Sequence, residues 1–506
     1  MNQQPLSNQK IDATIAAFIQ WHIDHEKVDP LDRIYLTNKL LELLKKKELS
    51  DPESSNELFH ESSHLTMLDD LVEYAVEVEL IEDSASARDV FGAKIMDVVT
   101  PRPSEVNNRF WQLYAKNQQL ATNDFYTFSE ESNYIKTREI AKNIEYTHPT
   151  EYGDLEITIN LSKPEKDPKK IAAAKQTQYS YPVNALCMEN EGYAGHESHA
   201  GRSNHRIIRL EVAGEPWGFQ YSPYAYYNEH AIFLSEEHRG MNVGERAIKN
   251  LLDILTILPH YFVGSNAGLP IVGGSILSHD HYQGGQHTFA LERAEMEETF
   301  QLKDLPQVKA GLVKWPMSVI RLSSKDQSAM EQAAKKVMET WDEYDDPSVD
   351  IQAYTGTTPH NAVTPIARMR EDQFELDLVL RNNRTTQQYP DGLFHPHPEV
   401  QHIKKENIGL IEVMGLAILP PRLERELAEV KAFLMGEVET VDPIHQPWAD
   451  TLKEPAENLS SEQIDLLIQQ SVGDIFLKVL KDAGVFKRTE KGQSAFLDFV
   501  ERLKTV

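Results

Sequence analysis

Cysteine is almost missing from this chain: the 506 residues contain one, Cys187. A single thiol excludes an internal disulfide framework and fits a reducing compartment. Apolar runs long enough to span a bilayer are missing as well. The first residues, Met-Asn-Gln-Gln-Pro-Leu, lack the basic-then-apolar signature of a secretory leader. The expectation is a cytoplasmic protein that does not contact a membrane. Positive charge is scarce too, with 51 Lys and Arg against 79 Asp and Glu and a net charge of −28. Such a surface repels a nucleic-acid backbone, so nucleic-acid binding is excluded as an expectation. A phosphorylated metabolite would need basic residues gathered locally against that field. Arg202/Arg206, Arg368/Arg370, Arg381/Arg384 and Lys404/Lys405 are the candidate clusters, each also readable as solvated surface.

What is present is an ordered alternation of helical and strand-like periodicity. Ile11, Ile15, Phe18 and Ile19 share a helical face, as do Leu36, Leu40, Leu43 and Leu44, and then Leu68, Leu71, Tyr74 and Val78. The polar run 50–56 reads as a loop, and Thr100-Pro101-Arg102-Pro103-Ser104 breaks the helices before another begins at Phe110-Trp111. Leu155 through Leu161 alternates as a half-buried strand does, and further strands are expected at 206–212, 231–235, 286–291, 317–322, 374–380 and 408–413. Helices are expected at 243–257 and 327–341. After Pro420-Pro421 more follow at 422–435, 461–483 and 492–504. Strands mixed with separate helices predict an α+β fold.

The chemistry concentrates in His279-Asp280-His281-Tyr282-Gln283. On a strand, residues two apart point the same way, so His279, His281 and Gln283 project together while Asp280 and Tyr282 face away. Gly273-Gly274-Ser275 precedes them and lets backbone N–H groups approach an anion closely. An imidazole with a pKa of about 6.5 is mostly neutral at pH 7 and can attack phosphorus without first losing a proton. The phosphoramidate formed can pass its group onward, and Gln283 can donate to an oxygen on which charge builds up. The same His-x-His pair could equally present two metal ligands. Spacing alone leaves the two readings even, with simple packing behind both because three buried polar side chains are costly.

The context of the motif separates them. Asn266, the glycine-rich turn and His-x-His-x-Gln resemble the active-site segment of galactose-1-phosphate uridylyltransferases, a branch of the histidine-triad superfamily in which glutamine replaces the last histidine. Longer blocks resemble the second class of that family: Trp217 through Tyr224, Ser265 through Gly285, Thr358-Pro359-His360-Asn361 through Arg368, Phe374 through Asn383, and Lys404 through Leu410. They run in order from about residue 98 to 425. The resemblance implies two histidine-triad-like α+β halves with added terminal helices: a mostly helical region 1–150, a first half at 151–345 carrying the nucleophile, a second half at 346–425 and a helical region 426–506.

It also implies an activity. UDP-glucose would give its uridylyl group to a histidine and release glucose 1-phosphate, and galactose 1-phosphate would collect the group as UDP-galactose. His281 is the implied nucleophile, Gln283 the ligand of the transferred phosphoryl group, and His279 either orients His281 or joins a metal site. Asn266, Gly274 and Ser275 are placed beside the phosphates, with Arg202 and Arg206 holding the nucleotide's phosphates and Lys405 with Glu412 gripping the hexose. The chemistry needs no cofactor. His395 and His397 resemble a structural metal pair, although a proline between them disfavours a regular central strand. Where relatives carry Cys-x-Leu-Cys, half of a zinc site, this chain has Asn184 through Cys187. Asparagine is a poor zinc ligand, so weak or absent zinc is expected there. A homodimer is the implied assembly. Two rivals are a histidine-triad hydrolase or dinucleotide phosphorylase, which would usually keep a histidine at 283, and a nucleotide-sugar binder, which needs no nucleophile.

Overall fold

Apolar residues spaced three and four apart build the helices at the start of the chain, and their burial there follows from that spacing. The computed structural model describes residues 8–49, 63–162, 181–196, 199–273 and 276–505. The expected loop at 50–56 and the site candidates Gly274 and Ser275 lie outside the described residues. The chain forms two units. The first is Met1–Thr137 with Pro164–Leu210 and Trp217–Tyr224, and the second is Arg138–Lys163 with Glu211–Pro216 and Ala225–Val506.

In the first unit, α1 (Asn8–Asp24), α2 (Arg33–Leu43), α3 (His64–Glu77) and α4 (Ala85–Val99) pack on one another. Ile11, Ile15, Phe18, Leu40, Leu71 and Ile95 make their shared core. Ser63 and Ser84 cap α3 and α4 by accepting from Thr66 N and Ala87 N, which satisfies donors a helix start leaves open. Helices α5 (Pro103–Tyr114) and α6 (Gln118–Glu131) pair through Phe110 and Phe125, whose rings meet edge-on at 6.1 Å. Phe219 closes on both, at 6.0 and 5.5 Å.

The second unit is α+β. Strands β1 (Ile144–Thr150) and β2 (Gly153–Ile159) form a hairpin, and β15 (Leu416–Leu419) runs parallel to β2. Strands β3 (Ile208–Val212) and β4 (Glu215–Tyr221) are divided between the two units. The second unit's large sheet contains β5 (Ala231–Ser235), β6 (Phe262–Gly264), β7 (His281–Gly285), β8 (Met296–Gln301), β9 (Lys309–Val313), β10 (Val319–Ser324), β13 (Asn361–Arg370) and β14 (Gln373–Asn382). A small separate ladder joins β11 (Tyr354–Thr355) to β12 (Thr358–Pro359). In the large sheet the order is β5-β7-β6-β13-β14-β10-β9-β8, each strand antiparallel to the next. Strands from 151–345 and from 346–425 therefore share one sheet. Helices α7 (Glu245–Ile257) and α8 (Gln327–Asp342) pack against it. Of the helices that follow, α9 (Arg422–Leu434), α10 (Gln446–Ala456) and α11 (Ser461–Ala483) lay apolar faces on the core of Leu155, Trp315, Val379 and Leu416. The last, α12 (Glu490–Thr505), packs on α8 and β8.

Two expected strands are corrected. Residues 408–413 are not extended: Gly409 N donates to Glu412 Oε2 at 3.1 Å and a helical turn runs Leu410–Val413, with the strand three residues later at β15. Residues 286–291 contain no strand either, because the extended stretch ends at Gly285 and a short helix starts at Ala290.

Charge is also buried in the sheet. Arg321 on β10 stands opposite Asp377 on β14, and Arg368 on β13 stands opposite Glu375. Arg321 Nε donates to Asp377 Oδ1 at 2.7 Å, and Arg368 Nη2 to Asp377 Oδ2 at 2.7 Å. Arg370 adds a bond to Glu375 at 2.8 Å, and Arg321 also donates to the carbonyls of Leu291 and Ala294 at 2.8 Å. Ions removed from water are tolerated when each is paired and hydrogen-bonded this fully.

Candidate active site

Strand β7 sits between β5 and β6, with Leu234 opposite His281 and Ile232 opposite Gln283. The predicted alternation is observed from Asp280 onward, while His279 lies ahead of the strand. Asp280 takes Arg239 Nε at 3.0 Å and Arg246 at 3.5 Å, and Tyr282 receives a bond from Asn250 on α7 at 3.1 Å. His281 and Gln283 share the other side.

His281 is buried, and its Nδ1 lies 2.8 Å from the carbonyl oxygen of His279. A carbonyl only accepts, so Nδ1 carries the proton and Nε2 keeps its lone pair. Burial lowers the His281 pKa, against the raising effect of that carbonyl. The ring is therefore a neutral base with its free electron pair on Nε2. His279 is fully buried, with Nε2 3.0 Å from Ser235 O, and its ring meets that of His238 edge-on at 5.6 Å. Through its carbonyl His279 orients His281.

The polypeptide approaching β7 is sterically constrained. A Cβ on Gly273 would lie 2.4 Å from Ala267 O and 2.5 Å from Leu269 O, so only glycine fits. Asn266 is buried and accepts from Leu410 N at 2.8 Å, tying this segment to the turn Leu410–Val413.

Other candidates have other partners. Lys405 is exposed, whereas Lys404 is buried, with Nζ 3.0 Å from Glu412 Oε1 and 2.8 Å from Ile418 O. The structure brings Glu412 to Lys404, the neighbour of the residue singled out in the sequence. In the first unit Arg206 is buried and donates to the carbonyls of Pro101, Ser203 and His205 at 2.6, 2.8 and 2.9 Å and to Asp97 at 2.9 Å. That guanidinium is committed to its own unit, a correction to its expected phosphate role. Arg202 is half-buried above the Tyr134 ring at 5.6 Å, with one bond to Gly201 O at 3.1 Å.

The metal candidates do not converge. His397 Nε2 donates to Leu393 O at 3.0 Å, its ring stacks on Tyr389 at 4.2 Å, and Nδ1 faces Asp482 at 3.6 Å. Among the described residues the grouping of potential ligands there is His397, Glu399 and Asp482, without His395. Lys478 already sits between those carboxylates, 3.0 Å from Glu399 and 2.8 Å from Asp482. A shared metal on His395 and His397 does not fit these partners. Asn184 Oδ1 accepts from Leu186 N at 2.8 Å, and burial raises the Cys187 pKa, which keeps the thiol protonated.

Sequence reasoning missed His230. It is buried just before β5, with Nε2 3.0 Å from Gln283 Oε1. Their separation of 53 positions hides the contact, and the one local signal is a histidine opening the apolar run Ala231-Ile232-Phe233-Leu234.

Among the described residues no helix is long and apolar enough to cross a membrane. Residues 26–240 match the family description "Galactose-1-phosphate uridyl transferase, N-terminal domain", and residues 255–450 match its C-terminal counterpart. The chain is 54% identical over 488 residues to "Galactose-1-phosphate uridylyltransferase 2" of Streptococcus pneumoniae serotype 4, covering 96% of this chain and 98% of the relative. It is 51% identical over 492 residues to "Galactose-1-phosphate uridylyltransferase" of Streptococcus mutans serotype c, covering 97% and 99%. To the enzyme of that name from Lacticaseibacillus paracasei it is 53% identical over 474 residues, covering 94% and 96%. A solved yeast Ap4A phosphorylase aligns over 61% of this chain and 88% of its own at 12% identity and a TM-score of 0.34, a likeness too slight to argue from. The chain belongs to the galactose-1-phosphate uridylyltransferase family, and it is a nucleotidyltransferase.

Proposed function

We propose that this enzyme carries the uridylyl group from UDP-glucose to galactose 1-phosphate through a covalent intermediate on His281. The observation that carries the reading is the bond of His281 Nδ1 to the His279 carbonyl, which leaves Nε2 unprotonated and nucleophilic. Nε2 attacks the phosphorus bearing the uridine. The N–P bond forms as the bond to the bridging oxygen breaks, and glucose 1-phosphate leaves with that oxygen. The imidazole becomes cationic in the adduct, and the His279 carbonyl already faces the proton on Nδ1. A phosphate oxygen of galactose 1-phosphate then attacks the same phosphorus, the N–P bond breaks, and neutral His281 returns. Gln283 donates to the non-bridging oxygens as charge builds on them. Asn266 lines the same approach. The imidazole itself is the nucleophile, so these steps call on no cofactor.

Uridine-labelled UDP-glucose tests this directly. The expected result is acid-labile label on His281 that chases into UDP-galactose when galactose 1-phosphate is added. Label leaving only as UMP would make the protein a hydrolase, and no label would make it a binder. His281→Ala is expected to lose exchange by at least about a thousandfold. Full exchange in that variant would sink the mechanism.

A further inference from the structure

In the reading above, Gln283 donates from its amide nitrogen to the transferred phosphoryl group. A glutamine amide can turn over end for end and present its oxygen to the same place, where it would repel the phosphoryl oxygens. Something has to choose between the two orientations.

His230 is placed to make that choice. Its Nε2 is 3.0 Å from Gln283 Oε1. Its Nδ1 faces the backbone N–H of Tyr226 at 3.5 Å, which assigns Nδ1 as the acceptor and puts the ring proton on Nε2. Burial lowers its pKa to about 4, so the ring is neutral and has one donor to give. The Tyr227 ring lies 4.5 Å away and Tyr226 lies 5.5 Å away, both tilted, which confines the imidazole. Tyr227 is itself fixed by donating to Gly284 O at 3.1 Å, one residue beyond the glutamine. A confined neutral donor holds the oxygen of Gln283 toward His230 and turns the amide nitrogen the other way.

We propose that His230 is a positioning residue for uridylyl transfer, acting only through Gln283. This rests on the reading that Gln283 contacts the transferred group.

The test uses the full chain in four variants: His230→Phe, His230→Gln, Gln283→Ala and the double variant His230→Phe/Gln283→Ala. Single-turnover uridylylation by labelled UDP-glucose is followed together with the KM for that substrate. His230→Phe is expected to slow uridylylation roughly tenfold to a hundredfold with little change in KM, the signature of an interaction that matters in the transition state. His230→Gln, whose amide nitrogen falls near the position of imidazole Nε2, is expected to recover most of the rate. Adding His230→Phe to Gln283→Ala is expected to cause no further loss. If His230→Phe does not fold, His230→Met serves in the same comparison. A wild-type rate for His230→Phe beside an impaired Gln283→Ala overturns this proposal alone. An equal loss from His230→Phe in the Gln283→Ala background also overturns it, since the role is then structural. A wild-type rate for Gln283→Ala overturns the underlying reading as well.

Discussion

Two arginines four residues apart illustrate how much a side chain's partners decide. Arg206 meets four carbonyls and a carboxylate, and those acceptors are left without that donor if it is removed. Arg206→Met is expected to destabilise the first unit by about 2–4 kcal/mol, lowering the melting temperature and leaving the KM for UDP-glucose of the folded fraction unchanged. The Arg202 guanidinium donates to the carbonyl of its neighbour Gly201. Arg202→Met, which gives up that bond and the contact with the Tyr134 ring, is expected to leave the melting temperature nearly unchanged, and a loss equal to that of Arg206→Met would reject the contrast. Protonation state is set at the same scale. Because burial lowers the His281 pKa, Nε2 stays unprotonated into mildly acid solution. Uridylylation from UDP-glucose is therefore expected to hold its rate as pH falls to 6.5 and to decline only below it. A decline with a midpoint above 6.5 would contradict the buried neutral ring.

At the scale of elements, what could be read depended on how many faces an element buries. Helices α7, α8 and α11 bury one stripe each, so their spacing marked them within one or two residues. Strand β13 is buried along most of its length on both sides, which erases the alternation that betrays a strand, and it was not among the expected strands. The run 408–413 has the apolar content of a strand, but its carboxylate at 412 reaches back to the backbone of 409 and nucleates a helical turn. Within the site, His281 and Gln283 were legible because one strand carries them, and His279 because it lies two residues ahead of that strand in the chain. His230 was not, because pairing of β5 with β7 is what brings it near. Close packing between elements makes its own prediction. A Cβ on Gly473 of α11 would lie 2.2 Å from the ring of His148 on β1. Gly473→Ala is expected to cost about 1–3 kcal/mol by forcing the helix off the strand. The double variant with His148→Ala should recover most of it, and a thermal melt decides.

Across the whole molecule, histidines held neutral by burial link stability to pH. Burial lowers His22 and His230 to about 4 and His205 to about 3. Each has a lower pKa folded than unfolded, where it is about 6.5. The unfolded chain therefore binds more protons between those values, so stability is complete above pH 6.5 and is lost as pH falls toward 4 and below. Each such group contributes a slope of about 1.4 kcal/mol per pH unit in that window. Denaturant midpoints measured from pH 7 down to 4.5 are expected to fall steeply, and a flat profile would contradict neutral burial. The paired charges in the large sheet act on the whole molecule in another way. Arg321 meets Asp377, and Arg368 meets Glu375, only when β10, β14 and β13 are aligned as they are. Sliding β10 by one residue would set Arg321 against a leucine and turn it to the opposite face; sliding by two would leave it on the right face opposite the wrong neighbour. The charges thus act as a keyed lock on strand alignment, penalising a one-residue slip most, because it sets Arg321 against Leu376 or Leu378. Neutral substitutions at all four positions together are expected to leave the sheet stable yet tolerant of misaligned forms.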